Sequence, residues 1–163
     1  MVDPAAPPAT APALAGIQEY LLGLRHVGYV VTDMADTLAH FRRVYALSDA
    51  QVQVMPPLGE PCDTRFAFIE VAGAIFELIE PISEHFRALL LTERPGINHV
   101  AWEVSDIDAA VARLAEQGVR PGHVTPDGPI RTPRFKMVYF DPETTGGHLV
   151  ELIESMPPQS TGG

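Results

Sequence analysis

Leu24-Arg25-His26-Val27-Gly28-Tyr29-Val30-Val31-Thr32-Asp33-Met34 and Ile97-Asn98-His99-Val100-Ala101-Trp102-Glu103-Val104-Ser105-Asp106-Ile107 are one pattern written twice. With His26 set on His99, the two share His-Val, a valine five positions after the histidine and an aspartate two residues beyond it. Each begins as a strand rich in β-branched and aromatic residues. Each then meets Thr32-Asp33 or Ser105-Asp106, residues whose oxygens cap a helix N-terminus. The spacing predicts a helix in both halves: Met34, Leu38 and Phe41 share one face in the first, and Ile107, Ala110, Val111 and Leu114 do in the second, with Gly118 as the stop.

Outward from these segments the halves continue alike. Strand-like runs cover Gln51 to Met55, Thr64 to Val71 and Ala74 to Ile79, then Arg120 to Val124, Phe135 to Phe140 and Gly147 to Ile153. Turn residues at Ala72-Gly73 and over Asp141 to Gly146 separate the last two strands of each half. The pattern predicts an α+β fold of two tandem βαβββ modules whose curved mixed sheets surround a cleft. We set the boundaries at 1–16 for an Ala/Pro/Thr-rich arm, 17–95 for the first module with its linker, 96–156 for the second, and 157–163 for a tail. A short helix is expected over His85 to Leu91.

The modules also close alike, as Phe76-Glu77-Leu78-Ile79-Glu80 and Val150-Glu151-Leu152-Ile153-Glu154. His26 precedes Glu77 by 51 residues and His99 precedes Glu151 by 52. Glu77 and Glu151 are acids inside apolar strands, where an unpaired carboxylate costs several kcal/mol to bury. Gly28 and Ala101 are small neighbours on the histidine faces and leave both imidazoles accessible. Any one of the four residues alone reads as a satisfied strand residue. As symmetry partners, His26, Glu77, His99 and Glu151 predict one divalent-metal site that leaves positions open for substrate oxygens. Co, Mn, Ni, Zn, Fe and Mg all fit a mixed N/O set. His40 in the first helix, His85 and His123 in connections, and His148 on the face opposite Glu151 read as solvent-facing or structural, while Glu103, on the His99 face, is a candidate for contact behind the ligands or for proton transfer.

The bulk properties narrow the partners. Of 163 residues, 46% are hydrophobic and 20% charged, the balance of a soluble globular chain. No run reaches the roughly 20 apolar residues that span a bilayer. The formal charge of -10, with no basic run, repels nucleic acid and anionic membranes. Arg131, Arg134 and Lys136 form the one short cationic cluster, suited to a substrate phosphate or carboxylate or to a solvated loop. Cys62 is the lone cysteine, so no internal disulfide forms, which suits a reducing cytoplasm.

Residues 24 to 154 resemble the vicinal oxygen chelate superfamily, which includes glyoxalase I, extradiol dioxygenases, bleomycin-resistance proteins and methylmalonyl-CoA epimerases. The epimerase branch is resembled in Phe68-Ile69-Glu70-Val71, Phe76-Glu77-Leu78-Ile79-Glu80-Pro81, Gly96-Ile97-Asn98-His99-Val100-Ala101-Trp102 and Phe140-Asp141-Pro142-Glu143-Thr144-Thr145-Gly146-Gly147-His148-Leu149-Val150-Glu151-Leu152. The resemblance implies His26, Glu77, His99 and Glu151 as metal ligands and Glu151 as one of two acid–base groups flanking a stereocentre. Glu77 is the other carboxylate of the expected site. The substrate class implied is a small acyl-CoA such as methylmalonyl-CoA, epimerised through a metal-stabilised enolate; sheet edges that need covering in such modules point to a homodimer.

Two departures stand out. The second epimerase acid belongs near Arg65 or Phe66, where this chain has no carboxylate. The loop Ile130-Arg131-Thr132-Pro133-Arg134-Phe135 replaces a short Gly-His-Gly-Lys-like turn. The alternatives are therefore a glyoxalase-like isomerase, a lyase, a ring-cleaving dioxygenase, or a non-catalytic small-molecule-binding protein.

Overall fold

The computed structural model describes residues 16–90 and 95–157. The arm over 1–15, Leu91 at the end of the expected linker helix, and the tail over 158–163 lie outside the described residues. Eight strands form one mixed sheet: β1 (Leu21–Val30), β2 (Val52–Met55), β3 (Thr64–Val71), β4 (Ala74–Pro81), β5 (Gly96–Val104), β6 (Ile130–Arg131), β7 (Phe135–Tyr139) and β8 (Val150–Ser155). Their order is β2-β3-β4-β1-β5-β8-β7-β6. Helices α1 (Met34–Tyr45) and α3 (Ile107–Ala115) follow the two histidine strands, and α2 (Glu84–Leu89) lies in the linker.

The order reads the same from either edge. β1 pairs parallel with β4, β5 pairs parallel with β8, and β1 and β5 join the halves antiparallel at the centre. Asp33 and Asp106 cap their helices as the repeat predicts, accepting from Asp36 N at 2.8 Å and Ala109 N at 3.0 Å. Ala72 and Gly73 both adopt positive φ, which lets β3 reverse into β4 through two residues.

Strand alternation sends one set of side chains under the helices and the other into the cleft. Met34 and Leu38 of α1 pack with Ala67, Ile69 and Leu78 of the sheet, and Ile107 and Ala110 of α3 with Val138, Phe140 and Leu152. Tyr29 and Trp102 join these two cores, away from the histidine face. Burial of this apolar area, worth roughly 25 cal/mol per Å², fixes the strand registers and hence which residues face the cleft.

Each core is bolted to its helix by a repeat-related clamp. Glu80 accepts from Met34 N at 3.2 Å and from Arg65 Nη1 at 2.9 Å. Glu154 accepts from Ile107 N at 2.9 Å and from Lys136 Nζ at 3.0 Å. A carboxylate at a helix N-terminus answers orphan N–H groups and the positive end of the helix dipole.

One expected strand does not form. From Arg120 to Val124 the chain makes only a single bridge, Pro121 to Phe140, and then turns. Pro121 has no N–H to extend a ladder, and His123 takes a left-handed φ of 54°. The edge that β2 holds in the first half is held in the second by the two residues of β6.

Candidate metal centre

The central strand pair brings the two histidines together by register. Ala101 lies opposite His26 and Gly28 opposite His99, so each imidazole sits over a small residue of the other half. At Gly28 the fit is absolute: a Cβ there would stand 2.1 Å from His99 Cε1 and 2.4 Å from its Nδ1. The neighbouring parallel strands add the carboxylates, Glu77 from β4 and Glu151 from β8.

The four side chains converge. The Nε2 atoms of His26 and His99 are 3.1 Å apart. Glu77 Oε2 lies 3.2 Å from the first and 3.4 Å from the second. Glu151 Oε2 lies 3.2 Å and 3.3 Å from the same two atoms. All four residues are buried, with His99 and Glu151 each 2% exposed.

Within this set, the ligand atoms of His26, His99 and Glu151 lie within 4.8 Å of one another, a group able to hold a metal ion. Ligand atoms at about 2.0–2.1 Å from a common centre stand about 3.0–3.4 Å apart in octahedral or tetrahedral arrays. The spacings observed, 3.1 to 3.4 Å, fall within that range. Glu151 Oε2, buried and without a hydrogen-bond partner of good geometry, is a lone pair that a cation would satisfy. The donor set of two imidazoles and two carboxylates fits a divalent ion of borderline or hard character.

The electrostatics follow from this crowding. Burial works against a charge on His26, but hydrogen bonds and charge from Glu151 and Glu77 prevail and raise its pKa to about 9. His99 is raised by the same two carboxylates against the same burial penalty. Glu77 is lowered to about 2, its burial outweighed by His26 and His99. Protons thus compete for the cluster when no cation holds it. Behind His99, Asn98 Oδ1 accepts from Nδ1 at 3.0 Å while Asn98 Nδ2 donates to Leu90 O, a pairing that leaves Nε2 free to ligate.

The cluster opens onto a cavity of about 760 Å³ whose walls include His26, Glu77 and Glu151 together with Phe66, Phe68 and Met137. Of the three predicted cationic groups, Arg134 lines this cavity. Arg131 is engaged by Asp108, and Lys136 by Asp108 and Glu154, on the helix side of the sheet. Arg65 is turned the same way, buried against Glu80 and the carbonyls of Pro56 and Glu60, while Phe66 faces the cavity. Glu103 contacts Arg25 and accepts from Ser155 N, placing it at the strand end. His123, read from sequence as solvent-facing or structural, lines the cavity, as does the tyrosine Tyr139, which the sequence reading passed over. Aligning Phe135–Tyr139 on Thr64–Phe68 would have placed Tyr139 opposite a ligand glutamate; nothing in the sequence marks His123.

The family model of the Glyoxalase/Bleomycin resistance protein/Dioxygenase superfamily matches residues 25–136. The chain is 32% identical over 133 residues to the ethylmalonyl-CoA/methylmalonyl-CoA epimerase of Cereibacter sphaeroides, covering 79% of this chain and 95% of that one. The crystal structure of methylmalonyl-CoA epimerase from Mycobacterium tuberculosis superposes with a TM-score of 0.67 at 27% identity, over 88% of this chain and 94% of that one. A variant of the Streptomyces coelicolor methylmalonyl-CoA epimerase in complex with 2-nitronate-propionyl-CoA shares the fold, with a TM-score of 0.65 at 23% identity over 84% and 99% of the two chains.

Proposed function

The chain belongs to the Glyoxalase/Bleomycin resistance protein/Dioxygenase superfamily, and from that premise we propose that it is a metal-dependent epimerase of a 2-substituted malonyl-CoA thioester of the methylmalonyl-CoA class. The observation that carries this reading is the convergence of His26, Glu77, His99 and Glu151 on one point at the wall of a cavity of substrate size. Those four residues are the proposed ligands. A divalent ion held by them supplies a Lewis acid for the negative charge that develops when the carbon between two carbonyls loses its proton.

The remaining work falls to the chain itself. Glu151 and Glu77 are the carboxylates among the described cavity-lining residues, and they come from opposite halves of the sheet. We assign Glu151 as the acid–base group on one face of the α-carbon and Glu77 as the group on the other, since β3 offers Thr64, Phe66 and Phe68 to the cavity and no acid. Phe66, Phe68 and Phe86 exclude water around the reacting carbon. Arg134 in the lining is suited to the anionic parts of a CoA tail, whereas Arg25 is paired with Glu103. Arg131 and Lys136 keep only a long-range role, because Asp108 and Glu154 already engage them.

A homodimer accords with Leu22, Leu24 and Ile97, exposed by 66%, 52% and 68% on the central strands. No helix among the described residues is long and apolar enough to cross a membrane. A CoA thioester substrate and the free thiol of Cys62 suit the cytoplasm.

Incubation of the metal-loaded protein with methylmalonyl-CoA in deuterium oxide tests the proposal: deuterium enters the α-position, and chelation stops it. A metal-loaded protein that leaves the α-position protiated overturns it. One observation favours a second reading. The tightest group, His26, His99 and Glu151, is the two-histidine, one-carboxylate set of ferrous oxygenases. Oxygen uptake with catechols under ferrous iron would support that alternative; with Glu77 beside both imidazoles, we expect none.

A further inference from the structure

The two halves differ in the ring each presents to the ligand cluster. Phe68 on β3 and Tyr139 on β7 hold equivalent places: Phe68 pairs with Glu77 in the ladder, and Tyr139 pairs with Glu151. Phe68 meets His26 edge-on with ring centroids 6.2 Å apart, and Tyr139 meets His99 edge-on at 5.2 Å. Only the second ring carries a hydroxyl, and that hydroxyl stands 3.5 Å from His99 Nε2, within reach of Glu151 as well.

The hydroxyl is mounted with care. Thr125 Oγ1 accepts from Tyr139 N at 2.8 Å and donates to Tyr139 O at 3.0 Å, and Gly122 N donates to the same carbonyl at 2.9 Å. His123 packs edge-on against the Tyr139 ring, with centroids 5.4 Å apart. Its Nε2 is buried without a hydrogen-bond partner. The segment that forms strand β2 in the first half is thus spent, in the second, on holding Tyr139 in place.

An apolar ring fills the equivalent position next to His26, so packing alone does not call for a phenol. Burying one without use costs free energy. A neutral phenol carries one O–H donor, and the fold places that of Tyr139 3.5 Å from His99 Nε2. Once a cation takes the lone pair of His99 Nε2, that donor has two acceptors left, Glu151 and an oxygen of whatever ligand enters the centre.

We propose that the Tyr139 hydroxyl donates a hydrogen bond to the oxygen anion of a ligand held at the four-residue centre, which makes Tyr139 a catalytic residue that stabilises developing enolate charge. The inference rests on reading the cluster as a metal centre and not on the identity of the acyl group.

The test compares wild type and Tyr139→Phe, each loaded with Co(II), by titrating with acetohydroxamate, a small two-oxygen anionic chelator, and following the visible spectrum. Phe68 shows that the fold accepts phenylalanine in this setting, and Co(II) content checks each preparation. The expected result is unchanged Co(II) content, an acetohydroxamate Kd raised about 10-fold or more, and, with methylmalonyl-CoA, kcat reduced by a similar factor while KM moves less than about threefold. A Kd within twofold of wild type overturns the proposal. Loss of Co(II) from Tyr139→Phe also overturns it, because the hydroxyl would then be holding His99 in place for the ion. If wild type exchanges no α-hydrogen of any acyl-CoA yet the variant binds hydroxamate more weakly, the epimerase reading falls and the role of Tyr139 stands.

Discussion

In the first half, β2 runs four residues along the edge of β3; in the second, that edge is two residues of β6 and a turn from Pro121 to Gly128. Inside those edges the halves match closely, with a histidine over a small residue, a glutamate on the parallel neighbour, an aspartate capping the helix, and a clamp from Glu80 or Glu154. The parts proposed to bind the cation, and those that hold the core, are kept in both copies. The parts that differ, Phe68 against Tyr139 and β2 against the His123 turn, all lie beside the reacting space. On the proposed function, the duplicated frame supplies a symmetric ion site, and the walls, where the symmetry breaks, are the place for selectivity toward one organic ligand.

The largest effect is expected where the halves are chemically equivalent. Glu151→Gln and Glu77→Gln should each slow epimerisation by about 10²- to 10⁴-fold with the metal at saturation. Each should keep solvent exchange on one epimer alone, and on opposite epimers, as read by deuterium incorporation into resolved thioesters. Loss of both epimers' exchange in Glu151→Gln with neither affected in Glu77→Gln would show that the carboxylates are not functional mirror images.

The clamps should be less equal than they look. Arg65 and Glu80 are 10% and 15% exposed as side chains, and Arg65 also satisfies two carbonyls, so Arg65→Ala should cost about 3 kcal/mol in urea unfolding. Lys136→Ala, on a pair with a partly exposed partner in Asp108, should cost clearly less. Equal losses would mean that the buried arginine carries no special weight.

A smaller effect tests the central seam. Gly28→Ala must move His99 and should weaken metal binding about tenfold or more, as measured by competition with a chromophoric chelator. Ala101→Gly, the change at the reciprocal position under His26, should stay within threefold. A Gly28→Ala protein with wild-type affinity would put the ion elsewhere.

The mildest effect is on pH dependence. In protein stripped of metal by chelation, the His26 pKa lies above its ordinary 6.5, at about 9. Its contribution to stability is therefore complete below pH 6.5 and is lost as pH rises through 9. Glu77, lowered from 4.5 to about 2, contributes fully above pH 4.5 and loses its contribution as pH falls through 2. The Tm of the stripped protein should drop on the order of 5 °C between pH 6.5 and 9.5. The metal-loaded protein should hold its Tm over that range, because ligation requires neutral imidazoles. Parallel curves would disconnect the cluster from the metal.

Much of this was legible in the sequence because duplication leaves the same residues at the same offsets. His26 with Glu77 and His99 with Glu151 could be paired before any strand was assigned, and the cores followed from alternation around them. Where the copies diverge, that guide is lost. The strand expected over Arg120 to Val124 is a turn because Pro121 and the left-handed His123 end the ladder, an outcome that β-propensity in Val119 and Val124 does not announce. Arg131 and Lys136 read as a cationic cluster, but the partners that engage them, Asp108 and Glu154, are 23 and 18 residues away in sequence and meet them only across the folded sheet. Of the two positions where the sequence lacks the expected acid, Phe66 faces the cavity, while the Arg65 side chain points to the helix side because it shares parity with Ala67 and Ile69.

The central claim is one ion held by one imidazole from each half. X-ray absorption of the Co(II)-loaded protein, together with metal analysis of wild type, His26→Ala and His99→Ala, addresses it directly. The expected result is one ion per chain, coordination by nitrogen and oxygen with the scattering signature of two imidazoles, and loss of one imidazole or of the ion itself in each variant. A wild-type chain that retains no ion, or whose spectrum is unchanged when either histidine is removed, would contradict it.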